Sequence, residues 1–256
     1  MGHPLLIPFP VKTLIHHTHS TNTLVSLMAS DKILISKLSG KLNHVSAIST
    51  TPFNDFCDRH AAIDGTTCNV CYARRYLSTF RKHAVPAYTR NTNILATREV
   101  TEDDFEPNSF IIGQHVRLLA YGELINDTMF KNFCKIAEMF PYITATMWTK
   151  RIDIINPLLH LAPKNLRLIY STLMIDPDDV IATTIPKGFS GIFNVYSKRY
   201  AIDHAIDINC SGSCATCLKC YTQNGFVINE LVKEKWGNES RRYTDVKSVQ
   251  NGVVRP

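Results

Sequence analysis

The sequence predicts an α/β fold built on a six-stranded, mostly parallel sheet with crossover helices. Short runs rich in β-branched residues alternate with segments whose apolar residues have helical spacing. The hydrophobic fraction of 45% and the charged fraction of 20% are ordinary for a chain that buries a continuous core. No repeat of fixed period and no low-complexity tract interrupts the alternation. This pattern favours parallel strands joined by right-handed crossovers, in an open or a rolled sheet.

Six segments have the composition of strands, because they are short, apolar and enriched in β-branched or aromatic residues. The run VRLLAYGE, for example, is apolar until Gly122, as a buried strand would be. The six segments are residues 44–50, 116–123, 142–150, 166–172, 191–198 and 204–209.

Helical segments separate most of these strands. The clearest covers residues 126–141, where Asn126 and Asp127 are candidate caps and Pro141 ends the apolar spacing. Residues 71–84 and 151–162 have similar spacing, and residues 176–185 predict a turn followed by a short helix.

Three regions are predicted along the chain: an N-terminal extension packed on the core (1–44), an α/β metal-binding domain (45–236) and a polar C-terminal tail (237–256). The first residues contain too many prolines and too little early positive charge for a signal peptide, and no apolar run reaches about 18 residues. We therefore expect a cytoplasmic protein without a membrane partner.

The net charge of +6 and the pI near 8.9 permit an anionic partner such as nucleic acid. Lys and Arg are scattered along the chain, however, and a solvated surface explains most of them. The composition does not indicate an oligomeric state.

Cysteines carry the strongest chemical signal. Disulfides do not persist in a reducing cytosol, so clustered Cys-x-x-Cys spacings indicate a metal or a redox role. The second group resembles the tight runs that wrap iron–sulfur clusters, with zinc as the alternative. The cysteines of the two groups are Cys57, Cys68 and Cys71 in the first, and Cys210, Cys214, Cys217 and Cys220 in the second.

The first group has only three thiols, which leaves a coordination position open or requires a further ligand such as His60. A different pairing would join Cys68 and Cys71 to Cys214 and Cys217 in one zinc site. Both cysteine loops directly follow a predicted strand, the first and the sixth. Because the carboxyl ends of parallel strands share one edge, we expect the two groups to meet there.

Other candidates have simpler explanations. Cys134 lies on the apolar side of its helix and is expected to be a small buried hydrophobe. Lys150 and Arg151 could bind a phosphate or a carboxylate, or could be solvated residues of a first helical turn. His16, His17 and His19 suggest a metal by composition alone.

Three segments together resemble the phage gene product 88 domain family: SAISTTPFNDFC with CNVCYARR, VRLLAYGELIN with YITATMWTKR, and CSGSCATCLKC. The two cysteine loops are the specific part of this resemblance. The resemblance implies a metal-bearing α/β domain in a phage setting, in the cytoplasm of the host cell.

The loop that ends Cys-x-x-Cys-Tyr also resembles the cluster loop of radical S-adenosylmethionine (SAM) enzymes. That resemblance implies an incomplete (β/α)6 barrel and a [4Fe–4S] cluster held by the first cysteine group. It assigns SAM contacts to Tyr72, to Gly122 and Glu123 (with Tyr121 in place of the family's first glycine), and to Ser171 or Thr172. The ten residues between Cys57 and Cys68 are a longer gap than in that family.

Two functions follow as hypotheses. The first is a radical-SAM-like iron–sulfur protein, with one or two [4Fe–4S] clusters, that modifies a nucleotide, a nucleic acid or a protein. The alternative is a non-catalytic module, stabilised by zinc or clusters, that binds nucleic acid or a host protein. An electron carrier is a third hypothesis, and the sequence identifies no catalytic side chain.

Overall fold

The computed structural model describes residues 31–233, and these form one seven-stranded sheet in the order β1-β2-β3-β4-β5-β6-β7. β1 pairs antiparallel with β2, and every other neighbouring pair is parallel. β1 and β7 each have one partner strand, so the sheet is open and does not close into a barrel. The strands are β1 (Ile35–Lys37), β2 (Val45–Ile48), β3 (His115–Leu118), β4 (Thr144–Thr149), β5 (Leu166–Ile175), β6 (Gly191–Tyr196) and β7 (Phe226–Leu231).

Helices fill the connections between the parallel strands. Three-residue 3-10 turns at Lys82–Ala84, Glu102–Asp104 and Leu159–Leu161 complete these connections, and another at Gly40–Leu42 lies between β1 and β2. The α-helices of the described residues are α1 (Asp55–Ala61), α2 (Tyr72–Ser78), α3 (Val85–Thr97), α4 (Asp127–Met139), α5 (Ile152–Leu158), α6 (Asp179–Thr183), α7 (Lys198–Asp203), α8 (Cys214–Cys217) and α9 (Lys219–Thr222).

The main core lies between one face of the sheet and helices α3, α4 and α5. Helix α4 shows how local sequence produces this layer. Asn126 caps it by accepting the Met129 N–H at 3.0 Å, and its apolar side includes the fully buried Phe130 and Phe133. Burying one such side chain stabilises the fold by about 1.5–3 kcal/mol, more than helix propensity contributes.

The opposite face of the sheet, here called the inner face, is more polar. Along β3, Val116 and Leu118 enter the main core, so the alternating residues His115 and Arg117 lie on the inner face. A second apolar cluster covers part of this face, with Tyr221 of α9 as its largest fully buried side chain.

The helical predictions at 126–141, 151–162 and 176–185 are confirmed by α4, α5 and α6, and the five predicted strands from 44–50 to 191–198 overlap β2 to β6. The count of six is wrong, because the described sheet has seven strands. β1 lies within the stretch assigned to the N-terminal extension, and the predicted strand at 116–123 ends at Leu118.

The predicted strand at 204–209 is also wrong. Ala205 has a left-handed backbone (φ 52°), and the side chain of Asn209 takes the place of a main-chain partner by accepting the Asn229 N–H at 3.0 Å. The segment therefore runs beside β7 without forming a strand of the sheet. The last strand, β7, follows the second cysteine loop instead of preceding it.

Several predictions fall outside residues 31–233: the polar tail at 237–256, most of the N-terminal extension and the candidate ligands His16, His17 and His19. Within the described part, no helix combines the length and apolarity needed to cross a bilayer.

Candidate functional site

The first cysteine group lies on the connection that leaves the carboxyl end of β2. Cys57 is in the first turn of α1, where Asn54 caps the helix by accepting the Cys57 N–H at 3.0 Å. Cys71 is the residue before α2, and its N–H reaches the carbonyl of Cys68 at 3.3 Å. The two short helices thus position the ends of the group.

The middle of this loop is attached to the end of β5. The Thr67 N–H donates to the Leu173 carbonyl at 2.8 Å, and the Ile175 N–H donates to the Gly65 carbonyl at 2.8 Å. Because β5 extends to Ile175, beyond the residue 172 that the sequence predicts, it provides this anchor for Cys68.

The thiols of the first group affect one another electrostatically. Burial, together with the nearby Glu123, Cys68 and Cys71, raises the pKa of Cys57 to about 12. Burial also raises the pKa of Cys68, whereas the positive charge of Lys150 lowers it. Cys57 and Cys68 therefore keep their protons unless a cation compensates for the negative charge of the thiolates.

Glu123, assigned to SAM by resemblance, is occupied by the chain itself. Its buried carboxylate accepts bonds from the Thr149 hydroxyl at 2.5 Å and the Leu124 N–H at 2.9 Å. Its second oxygen accepts the Lys150 N–H at 3.0 Å. These bonds join the end of β4 to the loop after β3, which is a structural task.

The other residues assigned to SAM surround the same edge. The Tyr72 hydroxyl donates to the Ala120 carbonyl at 3.1 Å, and the Thr172 hydroxyl donates to the Phe193 carbonyl at 3.4 Å. Ser171 accepts from Lys150 Nζ at 3.3 Å. Gly122 has a positive φ of 88° and packs directly on Thr50 at the end of β2. Because Lys150 contacts Ser171 and lowers the pKa of Cys68, its positive charge lies at the edge where both residues lie.

The second cysteine group packs across the inner face of the sheet. Cys214 and Cys217 begin and end the single-turn α8, and Leu218, with a left-handed φ of 49°, turns the chain into α9 and Cys220. The Cys210 N–H donates to the Asn229 carbonyl of β7 at 3.1 Å. The expectation that this loop directly follows a strand is wrong, because residues 204–209 form no strand and helix α7 separates the loop from β6.

These four thiols also form one electrostatic group. Burial raises the pKa of Cys220 to about 12, and the nearby thiols Cys214, Cys210 and Cys217 contribute. Burial, followed by the charge of Glu230, raises the pKa of Cys210 to about 11.

A polar bridge runs between the two groups. Lys233 forms an ion pair with Glu230 at 3.2 Å, and its ammonium lies 5.0 Å from the centre of the Tyr72 ring. Glu230 in turn lies 4.0 Å from the Cys210 sulfur. One bridge thus extends from Tyr72, the neighbour of Cys71, to Cys210.

No three His, Cys, Asp or Glu side chains within residues 31–233 are arranged so that they could hold a metal ion as they stand. Soft thiols that perturb one another's pKa match the donor chemistry of zinc and iron–sulfur sites, but a coordination shell requires them to move closer together. His60 Nδ1 is 2.8 Å from the Phe56 carbonyl. Cys134 lies in the main core, as expected, and burial raises its pKa to about 12.

Sequence reasoning missed Arg117, Glu230, Lys233 and Tyr221. A signal for Arg117 existed, because it is a lone charge within the apolar run HVRLLA. Glu230 lies in FVINEL, whose β-branched residues after Asn224-Gly225 mark the strand that was overlooked.

Comparison with known proteins gives one match. The model of the family described as gene product 88 matches residues 16–243. No curated protein and no solved structure matches the chain significantly.

Proposed function

The chain belongs to the gene product 88 family, and on that premise we propose that it is an iron–sulfur metalloprotein with a radical-SAM-like site. In this proposal the first cysteine group holds a [4Fe–4S] cluster through Cys57, Cys68 and Cys71. The site modifies a nucleotide, a nucleic acid or a protein.

The observation that carries the proposal is the position of the three thiols beside the carboxyl ends of the strands. The polar end of Lys150 lies at the same edge and contacts Ser171 at 3.3 Å. Three thiolates leave one iron of a cubane free for a small molecule, and parallel α/β sheets bind their ligands at this edge. When bound, such a cluster supplies the electron that cleaves SAM into a hydrogen-abstracting radical.

The surrounding residues then have separate tasks. Lys150 provides a positive charge for a carboxylate, and Ser171 offers a hydroxyl to a ribose. Glu123 holds the ends of β3 and β4 together through its three bonds, with little capacity left for a ligand amine. Gly122 allows the loop after β3 to pack against Thr50.

The second group would hold a second cluster with all four of its cysteines. The Lys233–Glu230 bridge links the two groups on the same side of the sheet. An auxiliary cluster there would pass electrons to the first one or hold a substrate.

Anaerobic purification followed by metal analysis and incubation with SAM under reducing conditions tests the proposal. We expect a brown protein with several irons and sulfides per chain that releases 5′-deoxyadenosine. Cys71→Ala should abolish this release, whereas the matched control Cys134→Ala should keep the full metal content because Cys134 lies in the core. A colourless protein with stoichiometric zinc would contradict the proposal.

A second candidate function has its own supporting observation. Tyr221 and the second cysteine loop cover the inner face of the sheet, so a metal there would act as a structural staple for a module that binds nucleic acid or a host protein. In that case a chelator would lower Tm strongly. The protein would be inert to SAM, and metal binding would survive Cys71→Ala at the second group.

A further inference from the structure

Arg117 is a charged side chain that forms no hydrogen bond or ion pair within the described part of the chain. It lies in the middle of the sheet on β3, and within the described residues its guanidinium makes no hydrogen bond or ion pair. Its Nε is enclosed and unpaired, while the side chain as a whole remains partly exposed. The Cζ atom lies 4.4 Å from the centre of the Trp148 ring, which orients the guanidinium along the inner face.

Two more polar atoms beside Arg117 are buried and unpaired. Thr146 stands directly opposite Arg117 in the register of β3 and β4, and its hydroxyl has no hydrogen-bond partner within the described residues. His115 lies two residues before Arg117 on the same face, and its Nδ1 is equally unpaired. His115 and Trp148 both flank the ring of Tyr221, at 5.2 and 5.6 Å between centroids.

Arg167, which lies on the inner face two strands away from Arg117, is by contrast hydrogen-bonded. Arg167 stands opposite Thr146 on β5, and its guanidinium reaches the carbonyls of Cys220 and Gln223 and the side chain of Asn224. Glu230, an acid near Arg117, is already paired with Lys233 at 3.2 Å. Among the described residues, one inner-face arginine is thus hydrogen-bonded, whereas Arg117 feels the charge of Glu230 without forming a hydrogen bond or an ion pair.

An enclosed guanidinium without a hydrogen bond or an ion pair is costly, and unpaired buried polar atoms are rare in native proteins. Two such groups directly opposite each other on neighbouring strands, Arg117 and Thr146, indicate a bound group that would satisfy both. The ligand must accept hydrogen bonds from a guanidinium and a hydroxyl, and it must be negative.

We propose that Arg117 and Thr146 bind an oxyanion, a phosphate or carboxylate group of a small molecule, on the inner face of the sheet. The guanidinium donates two parallel hydrogen bonds and the Thr146 hydroxyl donates a third. Trp148 and Tyr221 form apolar walls beside the bound group. The site uses residues of β3 and β4 alone, so it does not require a metal at either cysteine group.

Binding of inorganic phosphate and of acetate to the whole protein tests this site, by titration calorimetry and by Tm at matched ionic strength with chloride as the reference. We expect saturable binding of at least one of the two anions, and a rise in Tm above that in chloride. The stronger anion identifies whether the natural ligand carries a phosphate or a carboxylate.

Arg117→Met should weaken this binding by at least about tenfold, since one charge-assisted pair is worth that much or more. Without anion its Tm should stay near that of the wild type, because the desolvation cost of the enclosed charge is removed together with its contact to Trp148 and its attraction to Glu230. The control Arg199→Met, at an exposed arginine paired with Asp203, should bind as the wild type does.

Absence of saturable binding to both anions would overturn the proposal, as would undiminished binding by Arg117→Met. If the methionine variant does not fold, Arg117→Lys is measured instead. It keeps the charge but loses the bidentate fork, so equal affinity in that variant would also overturn the assignment.

Discussion

Gly122 shows how closely the residues around the first cysteine group pack. Its φ of 88° lies in the left-handed region, and a Cβ atom built on it would be 2.0 Å from Thr50 Oγ1 and 2.7 Å from the Thr50 carbonyl. Thr50 begins the connection that carries Cys57, so a shift at this contact would move the loop.

We predict that Gly122→Ala lowers the free energy of unfolding by about 2–4 kcal/mol, from backbone strain and overpacking together. The measurement is chemical denaturation of the variant and the wild type. Gly113→Ala is the matched control, because Gly113 also has a positive φ (76°) but a Cβ there would meet no neighbouring atom within 4 Å. Equal losses in the two variants would show that the contact with Thr50 is unimportant.

Helix α9 is a single turn, too short to be stable alone. It is held by Tyr221, a fully buried side chain whose ring packs between His115 and Trp148. The Tyr221 hydroxyl lies beside the Cys214 thiol, which belongs to the same loop. The ring, which packs on His115 and Trp148, therefore attaches the second cysteine loop to the sheet, and the hydroxyl does not.

Tyr221→Ala should destabilise the protein by about 3–5 kcal/mol, the usual cost of removing a buried aromatic ring. Tyr221→Phe keeps the ring and should change stability by less than about 1 kcal/mol, since only the weak contact of the hydroxyl with the Cys214 thiol is lost. Thermal and chemical denaturation of both variants provide the measurement. A phenylalanine variant as unstable as the alanine one would show that the hydroxyl, and not the ring, holds the loop.

The same region shows why one element was misassigned. Residues 204–209 have strand-like composition, but the Asn209 side chain bonds to β7 at both Asn229 N–H (3.0 Å) and the Val227 carbonyl (3.1 Å). Asparagine side chains can replace main-chain hydrogen bonds in this way, and the strand propensity of a segment does not predict when they do.

The sheet as a whole has its strands in chain order, so the most protected strands lie midway along the sequence. β4 and β5 have a neighbour on each side and include fully buried residues such as Met147 and Ile169. β1 is a three-residue edge strand, and its residues remain partly exposed.

Hydrogen exchange should follow this difference. Amides of β4 and β5 should exchange only on global unfolding, whereas those of β1 should exchange at least about tenfold faster through local opening. Mass spectrometry of peptic peptides gives both rates in one experiment. Equal protection of residues 35–37 and 145–149 would mean that the whole sheet opens as one unit.

Local sequence by itself determined most of the elements, because helical spacing, caps and β-branched runs act over a few residues. The segment 126–141 is an example, with its Asn126 cap and its end before Pro141. The grouping of the seven cysteines into two loops is also a property of the sequence.

Only the tertiary structure decided where those loops lie and what faces them. The second loop crosses the inner face because β7, which follows it, pairs with β6 along six residues. Arg117 stands beside Thr146 because strands that are distant in sequence pair in one register. Strand pairing reflects the packing of the whole core, and no local window of residues contains that information.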